Sequence, residues 1–273
     1  MYDLTKSNAK WTEDEDFAQF AAKIRESTSI DLTQYKENQM RRRLTTLRMK
    51  HGFTTFAKYY EALMNDARLR HEFLDRMTIN VSEFWRNPNR WELLRERFLG
   101  PMAASGARLH IWSAACSTGE EPYTIAMLLD ALQVLDRTSL LATDIDENVL
   151  AKAKEAVYTD RSMRDVPPGF KSKYFIRDGN NYRIVDKLRR AVRFQKHNLL
   201  LDPFPEKYDL IVCRNVMIYF TEEAKVGLYH KFARALKPGG ILFVGSTEQI
   251  FNPGQYGLEA AETFFYRRIA SHA

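Results

Sequence analysis

A strand-like run, Leu109-His110-Ile111-Trp112, leads through Ser113-Ala114-Ala115-Cys116-Ser117-Thr118 to one glycine, Gly119, and then to two acids, Glu120 and Glu121. The apolar face of Thr124–Leu129 predicts a helix beyond them, so the carboxylates stand at a strand-to-helix turn. Nucleotide-binding folds keep bare backbone amides there, in G-x-G-x-x-G or in a loop ending Gly-Lys-Ser/Thr, because amides at a helix N-terminus bind phosphate. Neither pattern is present. Two carboxylates would repel a phosphate by several kcal/mol at an effective dielectric of about 20, and a cationic ligand gains by the same arithmetic. S-adenosylmethionine, with a sulfonium, an α-ammonium and no phosphate, suits such a turn. A plainer alternative stands beside it: with Pro122 in the first turn, both acids can simply complement the helix dipole.

A second acidic position favours the ligand. Leu140-Leu141-Ala142-Thr143-Asp144-Ile145-Asp146 ends in acids where α/β folds place the carboxylate that binds ribose hydroxyls. One of the two acids can serve merely as the cap of a helix starting near Glu147. Asp144 is preferred for the ribose because it comes first after the apolar run. Two further turns leave strand ends with polar groups: His197-Asn198-Leu199-Leu200, and Arg214-Asn215-Val216-Met217-Ile218-Tyr219-Phe220. Asn198 alone reads as a turn former. Arg214 and Asn215 put a charge and an amide at the mouth of the predicted sheet. Asn80-Val81-Ser82-Glu83-Phe84-Trp85-Arg86 is dense in polar and aromatic groups, although on spacing alone it is an N-capped linker.

The elements that position these residues fall into two groups. From Asp14 to about Met77 apolar residues recur at helical spacing, predicting four short helices, with Gly52 ending the second and Thr54-Thr55 capping the third. From about Arg108, strands and helices alternate: strands at Leu109–Trp112, Leu140–Asp144, Val192–Gln195, Asp209–Cys213 and Ile241–Gly245, helices near Glu121–Leu135, Glu147–Ala156 and Thr221–Leu236. That alternation predicts an α/β fold with a doubly wound parallel sheet. Phe264-Phe265-Tyr266 suits an added edge strand, and Pro238-Gly239-Gly240 a plain turn. Lys173–Ile176, Asp178-Gly179-Asn180-Asn181 and Tyr182–Val185 predict a small hairpin inserted between helix and strand.

Composition sets outer bounds. The 273 residues are 45% hydrophobic, enough for a full core, and no apolar run approaches the roughly 18 to 20 residues that span a bilayer. With no apolar signal segment at the N-terminus, a cytoplasmic protein is expected. Cys116 and Cys213 form no metal-type pair, so reduced thiols and no metal are expected. The net charge of +6 and pI near 9.2 point to an acidic partner. Arg41, Arg42, Arg43, Arg48 and Lys50 concentrate that charge on one predicted helix, with Met40, Leu44 and Leu47 as its buried face.

The segments INVSEFWRN, IWSAACSTGEEPYTIAMLL, LLATDID, KHNLL, DLIVCRNVMIYF and LKPGG resemble, in order and approximate spacing over nearly the whole chain, the chemotaxis receptor glutamate methyltransferases, the CheR family. LKPGG is common to many methyltransferases; the STGEEPY and CRNVMIYF blocks are specific. The resemblance implies a Rossmann-like class I methyltransferase sheet with a small all-helical N-terminal domain at 13–78 and a linker at 79–99 contributing to the cofactor site. It further implies a methyltransferase domain at 100–273 with an antiparallel β insert near 170–192. It implies transfer of methyl from S-adenosylmethionine to glutamate carboxylates on chemoreceptor cytoplasmic helices. Asn80, Ser82 and Arg86 would then contact the cofactor from the linker, Glu121 its methionyl end and Asp144 its ribose, with Asn198, Leu199, Arg214 and Asn215 lining the remaining wall. Family members often carry Thr at the position of Ser82, which keeps the hydroxyl. Arg86 and Tyr219 would orient the acceptor carboxylate.

By the same resemblance Arg41, Arg42, Arg43 and Arg48 would dock on acidic receptor helices, where a merely solvated basic face is the bland alternative. The compact Asp178–Asn181 turn implies the subtype that does not require a receptor pentapeptide tether. A monomer is expected, since no coiled-coil heptads occur. Three rivals are weaker. A nucleic-acid methyltransferase lacks aromatics interleaved with the basic stripe, a nicotinamide oxidoreductase lacks its glycines, and a non-catalytic adaptor sits poorly with an intact set of Arg86, Glu121, Asp144 and Tyr219.

Overall fold

The computed structural model describes residues 12–78, 82–204 and 207–270. The chain divides between Ile79 and Asn80 into two compact units. The first contains four α-helices, α1 (Glu13–Thr28), α2 (Glu37–Lys50), α3 (Phe56–Asn65) and α4 (Ala67–Thr78), with a 3₁₀ turn at Leu32–Gln34. The Thr12 side chain and Glu15 form a reciprocal capping box at the start of α1, and left-handed Ser29 closes its end. Thr55 caps α3 and Gly52, at φ 76°, turns the chain after α2, as the sequence predicts.

Phe17, Phe20, Ile24, Leu44, Leu47, Phe56, Tyr59, Leu63 and Phe73 fill the core of this unit. Each buried side chain of this size contributes about 1.5–3 kcal/mol. Three charged side chains, Asp16, Asp31 and Arg48, are buried with them. Asp16, in the first turn of α1, accepts the Phe56 and Ala57 amides at 2.6 and 3.0 Å, and Arg48 Nη1 of α2 lies 3.7 Å away. A single carboxylate thereby caps α3 and joins three helices.

The second unit starts with α5 (Pro88–Leu94), which runs through a π-helical turn at Arg95–Leu99 into α6 (Gly100–Ala104). Pro101 has no N–H to offer the preceding turn, and the wider turn, with Gly100 donating to the Arg95 carbonyl, lies just before it. Next come β1 (Leu109–Ala114), α7 (Glu120–Ala131), β2 (Thr138–Asp144), α8 (Glu147–Glu155), β3 (Val157–Thr159) and α9 (Pro168–Tyr174). They are followed by β4 (Phe175–Asp178), β5 (Asn181–Ile184), α10 (Asp186–Ala191), β6 (Val192–Lys196) and β7 (Tyr208–Cys213). The unit ends with α11 (Glu222–Ala235), β8 (Leu236–Val244), β9 (Leu258–Glu262) and β10 (Phe265–Arg268).

Seven strands form the main sheet in the order β6-β2-β1-β7-β8-β10-β9. It is parallel from β6 to β8, and β10 runs antiparallel to both its neighbours. Strand order reverses between β1 and β7, so the loops leaving the carboxyl ends of β1, β2, β7 and β8 converge there. This is the expected doubly wound, Rossmann-like sheet, and the first unit is the expected helical domain.

Four details differ from the sequence reading. The insert is a three-stranded antiparallel sheet, β3-β5-β4, beginning at Val157, and Lys173 and Tyr174 end helix α9 rather than start a strand. The Phe264–Tyr266 strand is not at the edge; β9 covers it. Pro238-Gly239-Gly240 is a bulge inside β8, which pairs Leu236 with Tyr208 and Ile241 with Leu210. The described part of the predicted linker, 82–99, belongs to the second unit, with Phe84, Trp85, Trp91, Leu94, Phe98 and Leu99 in its core. Phe243 and Phe265 stack at 4.2 Å, and Trp91 and Phe98 pack on them at 5.6 and 5.0 Å.

Removing the carboxylate of Asp16 would orphan two helix-end amides and leave the buried Arg48 with only the exposed Glu13 as counter-charge. Asp16→Ala is expected to cost about 3 kcal/mol, read as a lower urea midpoint by far-ultraviolet circular dichroism. A loss below about 1 kcal/mol would show that the three-helix joint matters little.

Candidate active site

The loop from β1 to α7 is bent tightly. Ala115, Ser117 and Gly119 have φ of 60°, 48° and 95°, and a side chain at Gly119 would place its Cβ 2.9 Å from that of Ala153. The bend carries the Ser117 amide to Asp144 Oδ2 at 2.8 Å, and the Asp146 amide reaches Asp144 Oδ1 at 3.1 Å. Asp144 is buried at the carboxyl end of β2. Burial pushes its carboxyl up to about 6 against these amide donors. With the Ile145 amide as a further donor, the carboxylate still has acceptor capacity of the kind a ribose hydroxyl needs. Asp146 caps α8 by accepting the Asn148 amide at 2.8 Å, and its buried Oδ2 has no hydrogen-bond partner.

The two acids of the turn part company. Glu120 is buried and accepts from Thr118 Oγ1 at 2.7 Å and from the Ser82 side chain; burial raises its carboxyl above the usual range. Glu121 accepts from Ser113 Oγ at 2.8 Å and faces Arg214, whose Nη1 is 3.8 Å from Oε2. Desolvation pushes Glu121 up to about 7, with the charge of Glu248 adding to the rise while Arg214, Ser113 and Arg86 oppose it. A cationic α-ammonium is the kind of ligand group that would hold such a carboxylate ionised.

Arg214, at the end of β7, is a hub. Its guanidinium lies over the Trp91 and Phe243 rings, at 5.1 and 4.8 Å from their centroids. It donates to the Arg86 carbonyl at 2.8 Å and to Asn87 Oδ1 at 3.0 Å. Trp91 Nε1 donates to the same carbonyl at 3.1 Å. Trp85 and Asn87 on either side hold φ of 54° and 63°, so two aromatic contacts and three hydrogen bonds maintain a strained turn around Arg86. Asn215 also has a left-handed φ of 60°, and Tyr219 ends the 3₁₀ turn Met217–Tyr219, half-buried.

On the far side of Asp144, the His197 amide donates to the Asp144 carbonyl at 2.9 Å. Asn198 forms an Asx turn, its Oδ1 accepting the Leu200 amide at 3.0 Å, and Leu199 is buried. The turn-former reading of Asn198 therefore describes one of its contacts. Lys231 of α11 braces this turn through the Leu199 and Leu200 carbonyls at 3.2 and 3.0 Å. Ser113, Ser117, Glu121, Asp144, Arg214 and Asn215 thus gather at the carboxyl ends of β1, β2 and β7; Ser82 joins them through Glu120, and Arg86 through Arg214. Asn80 lies outside the described residues. Glu248 and the Glu120–Ser82 bond escaped the sequence reading, which weighed Glu120 only together with Glu121 and drew nothing from the residues after the last predicted parallel strand.

The basic helix needs one correction. Arg48 is buried, over the Phe56 ring and paired with Asp16 and Glu13 at 3.7 and 3.6 Å, so its charge is spent inside the helical unit. Arg41 pairs with Asp14 at 2.5 Å, and Lys50 with Glu72 at 2.6 Å. Arg42 is exposed and, with Arg43, Thr46, Leu47, Lys50, Asp75 and Arg76, lines a groove of ≈ 390 Å³ between α2 and α4.

The raised carboxylates Glu120, Glu121, Asp144 and Glu248 make stability depend on pH with a definite sign. Between about pH 4.5 and 7 the folded protein holds a proton on Glu121 that the unfolded chain releases, so Glu121 favours folding at the acid end of that window and the advantage fades as pH rises. Buried His197, whose value is lowered, works in the opposite direction. Comparison with Glu121→Gln isolates the first effect: from pH 7.5 to 5.5 the ligand-free wild type should gain on the order of 1–2 kcal/mol relative to the variant. Parallel stability curves for the two proteins would refute the buried-acid assignment.

Residues 80–265 match the CheR methyltransferase SAM-binding domain, and residues 15–78 match the CheR methyltransferase all-alpha domain. The chemotaxis protein methyltransferase of Listeria monocytogenes is 41% identical over 254 residues, covering 93% of this chain and 97% of its own. Those named chemotaxis protein methyltransferase 1 of Pseudomonas aeruginosa and chemotaxis protein methyltransferase of Escherichia coli are each 32% identical, over 88% and 86% of this chain and 93% and 84% of their own. With both domains matched around an acidic, phosphate-averse strand-to-helix turn, the chain belongs to the CheR family of S-adenosylmethionine-dependent chemotaxis methyltransferases.

Proposed function

We propose that the chain methylates glutamate side chains on the cytoplasmic helices of chemoreceptors, forming methyl esters in adaptation, and that it does so as a cytoplasmic monomer. The buried Glu121–Arg214 pair beside Asp144, within a family of chemotaxis methyltransferases, is the observation that carries this reading. Among the described residues no helix is long and apolar enough to cross a membrane.

The bound cofactor supplies a methyl carbon made electrophilic by its sulfonium. Ser82, Arg86, Glu121, Asp144, Asn198, Leu199, Arg214 and Asn215 hold it in this proposal, with Asn80 assigned by family resemblance alone and Glu120 supporting Ser82. Glu121 receives the ammonium and Asp144 the ribose hydroxyls. A glutamate acceptor, with an ordinary value near 4.3, arrives ionised at neutral pH, so no residue has to remove a proton. Its carboxylate oxygen forms the new bond to the methyl carbon while the carbon–sulfur pair of electrons stays with sulfur, leaving a neutral ester and a neutral thioether. What the protein must contribute is alignment, and Arg86 and Tyr219 are the groups assigned to orient the acceptor carboxylate. Arg41, Arg42 and Arg43 steer the acidic receptor bundle, with exposed Arg42 foremost.

The test is transfer of radiolabelled methyl to a purified chemoreceptor cytoplasmic fragment. Label released as methanol by mild alkali is expected; stable label, or cofactor binding without transfer, would refute ester formation. Tyr219→Phe and Arg86→Ala should lower kcat by on the order of tenfold or more. An unchanged kcat in both, with cofactor bound normally, would remove their assignment. Charge reversal at Arg42 and Arg43 should raise KM for the receptor fragment and weaken its salt dependence with little change in kcat; an unaltered KM would mean that the receptor docks elsewhere.

A further inference from the structure

Glu248 lies in the turn after β8, outside the six short segments that carry the sequence resemblance, and it is buried at the carboxyl ends of β7 and β8. Its Oε2 accepts the amides of Asn215 at 2.7 Å and Gly245 at 2.8 Å, and its Oε1 accepts that of Ile218 at 3.3 Å. Each of these contacts is a donor. The carboxylate is therefore enclosed by the turn that carries Asn215 and leads into Met217–Tyr219. Gly245 leaves room for it: a Cβ at that position would sit 2.4 Å from Oε2 and 2.9 Å from the Asn215 amide. The left-handed φ of Asn215 has a physical cause in this clamp, because it turns the amide of Asn215 inward.

We propose that Glu248 is a positioning residue for methyl transfer: its carboxylate fixes the Asn215–Tyr219 turn and supplies a negative charge behind the Glu121–Arg214 pair. The inference rests on the cofactor-site assignment above, though not on which acceptor is methylated. Two roles are combined, and they are separable. The clamp acts through backbone geometry. The charge acts through Glu121, which also faces Arg214 from β7, Arg86 from the turn before α5 and Ser113 from β1; the buried thiols Cys116 and Cys213 lie within its electrostatic reach. Desolvation dominates the rise of Glu121, the two arginines oppose it and Glu248 adds to it, so the charge of Glu248 contributes to how far down in pH Glu121 remains an ionised partner for a cation.

Glu248→Gln keeps the shape, replaces one acceptor with a donor facing amides and removes the charge. The full-length variant, checked for folding by circular dichroism, would be titrated with S-adenosylhomocysteine by calorimetry from pH 5.5 to 8. Affinity at pH 8 should fall on the order of tenfold, as for a lost hydrogen bond to a charged group. The pH below which affinity is lost should move downward, because Glu121 loses its repelling neighbour. Glu248→Asp, which keeps the charge on a shorter stem, should lose affinity without that downward shift. Wild-type affinity and an unmoved pH midpoint in Glu248→Gln would overturn the inference. So would a loss that tracks only the unfolded fraction at each temperature with the midpoint unchanged, since that is a purely structural role. Failure of the acceptor reading shows differently, as wild-type protein that binds the product normally yet esterifies no receptor.

Discussion

The second unit turns on the problem of keeping carboxylates out of water at one end of a parallel sheet. Glu121 stands in the first turn of the helix after β1, Asp144 ends β2 and Glu248 follows β8, all at the carboxyl edge of the sheet, and desolvation raises all three. An isolated carboxylate in such a place would protonate or draw in water. Asp144 and Glu248 are retained by backbone donors, Ser117 and Asp146 for the first, and Asn215, Ile218 and Gly245 for the second. Glu121 alone relies on side chains, Ser113 and Arg214, and is pushed up to about 7, against about 6 for Asp144. The acid with the weakest internal support is therefore the one most open to an external cation.

Arg214 carries the reciprocal cost. Burying a guanidinium between Trp91 and Phe243 sacrifices hydration, and a counter-charge at 3.8 Å offsets only part of it. The remainder is met by ring faces and by the Arg86 carbonyl and Asn87 side chain. These contacts lie on the strained turn around Arg86, so the energy that stabilises the arginine also holds that turn in shape. Core packing extends the constraint, because Trp91 meets Phe243 and Phe243 meets Phe265 in one aromatic stack. Geometry near the site and stability of the sheet are in this way the same set of contacts.

Periodicity made the four helices, the parallel strands and the turn chemistry legible, because each of those segments has one apolar face and an identifiable cap. It failed where tertiary pairing overrides local preference. Leu258-Glu259-Ala260-Ala261-Glu262 has helix-favouring residues and becomes the outer strand only because β10 offers it a partner. Val157–Thr159 is three residues long and pairs with β5 from outside the predicted hairpin. Within the site, Asp144 and Glu121 were legible as acids at strand ends. Glu248 was not, since its partners are amides separated from it by up to 33 residues and no spacing rule connects a carboxylate to backbone N–H groups so distant. Arg48 misled for the opposite reason: a helical wheel assigns it to a flank, while the long side chain reaches inward to the carboxylate of Asp16.

The charge pattern also bears on what acceptor the site can admit. A site lined with three buried carboxylates repels an anionic acceptor, and repulsion is strongest where water is excluded. An acidic substrate can approach only if cations offset that field at the point of attack. Arg86 acts on Glu121 electrostatically from the turn that Arg214 holds, and both arginines lower its value. The same two groups that keep Glu121 available to a cationic cofactor would therefore reduce the negative potential met by the proposed carboxylate acceptor. Methyl transfer to carboxylate also removes one positive and one negative charge together, leaving two neutral products. A partly desolvated site that favours neutral over ionised groups, as the raised values of Glu121 and Asp144 show, favours the direction in which those charges disappear.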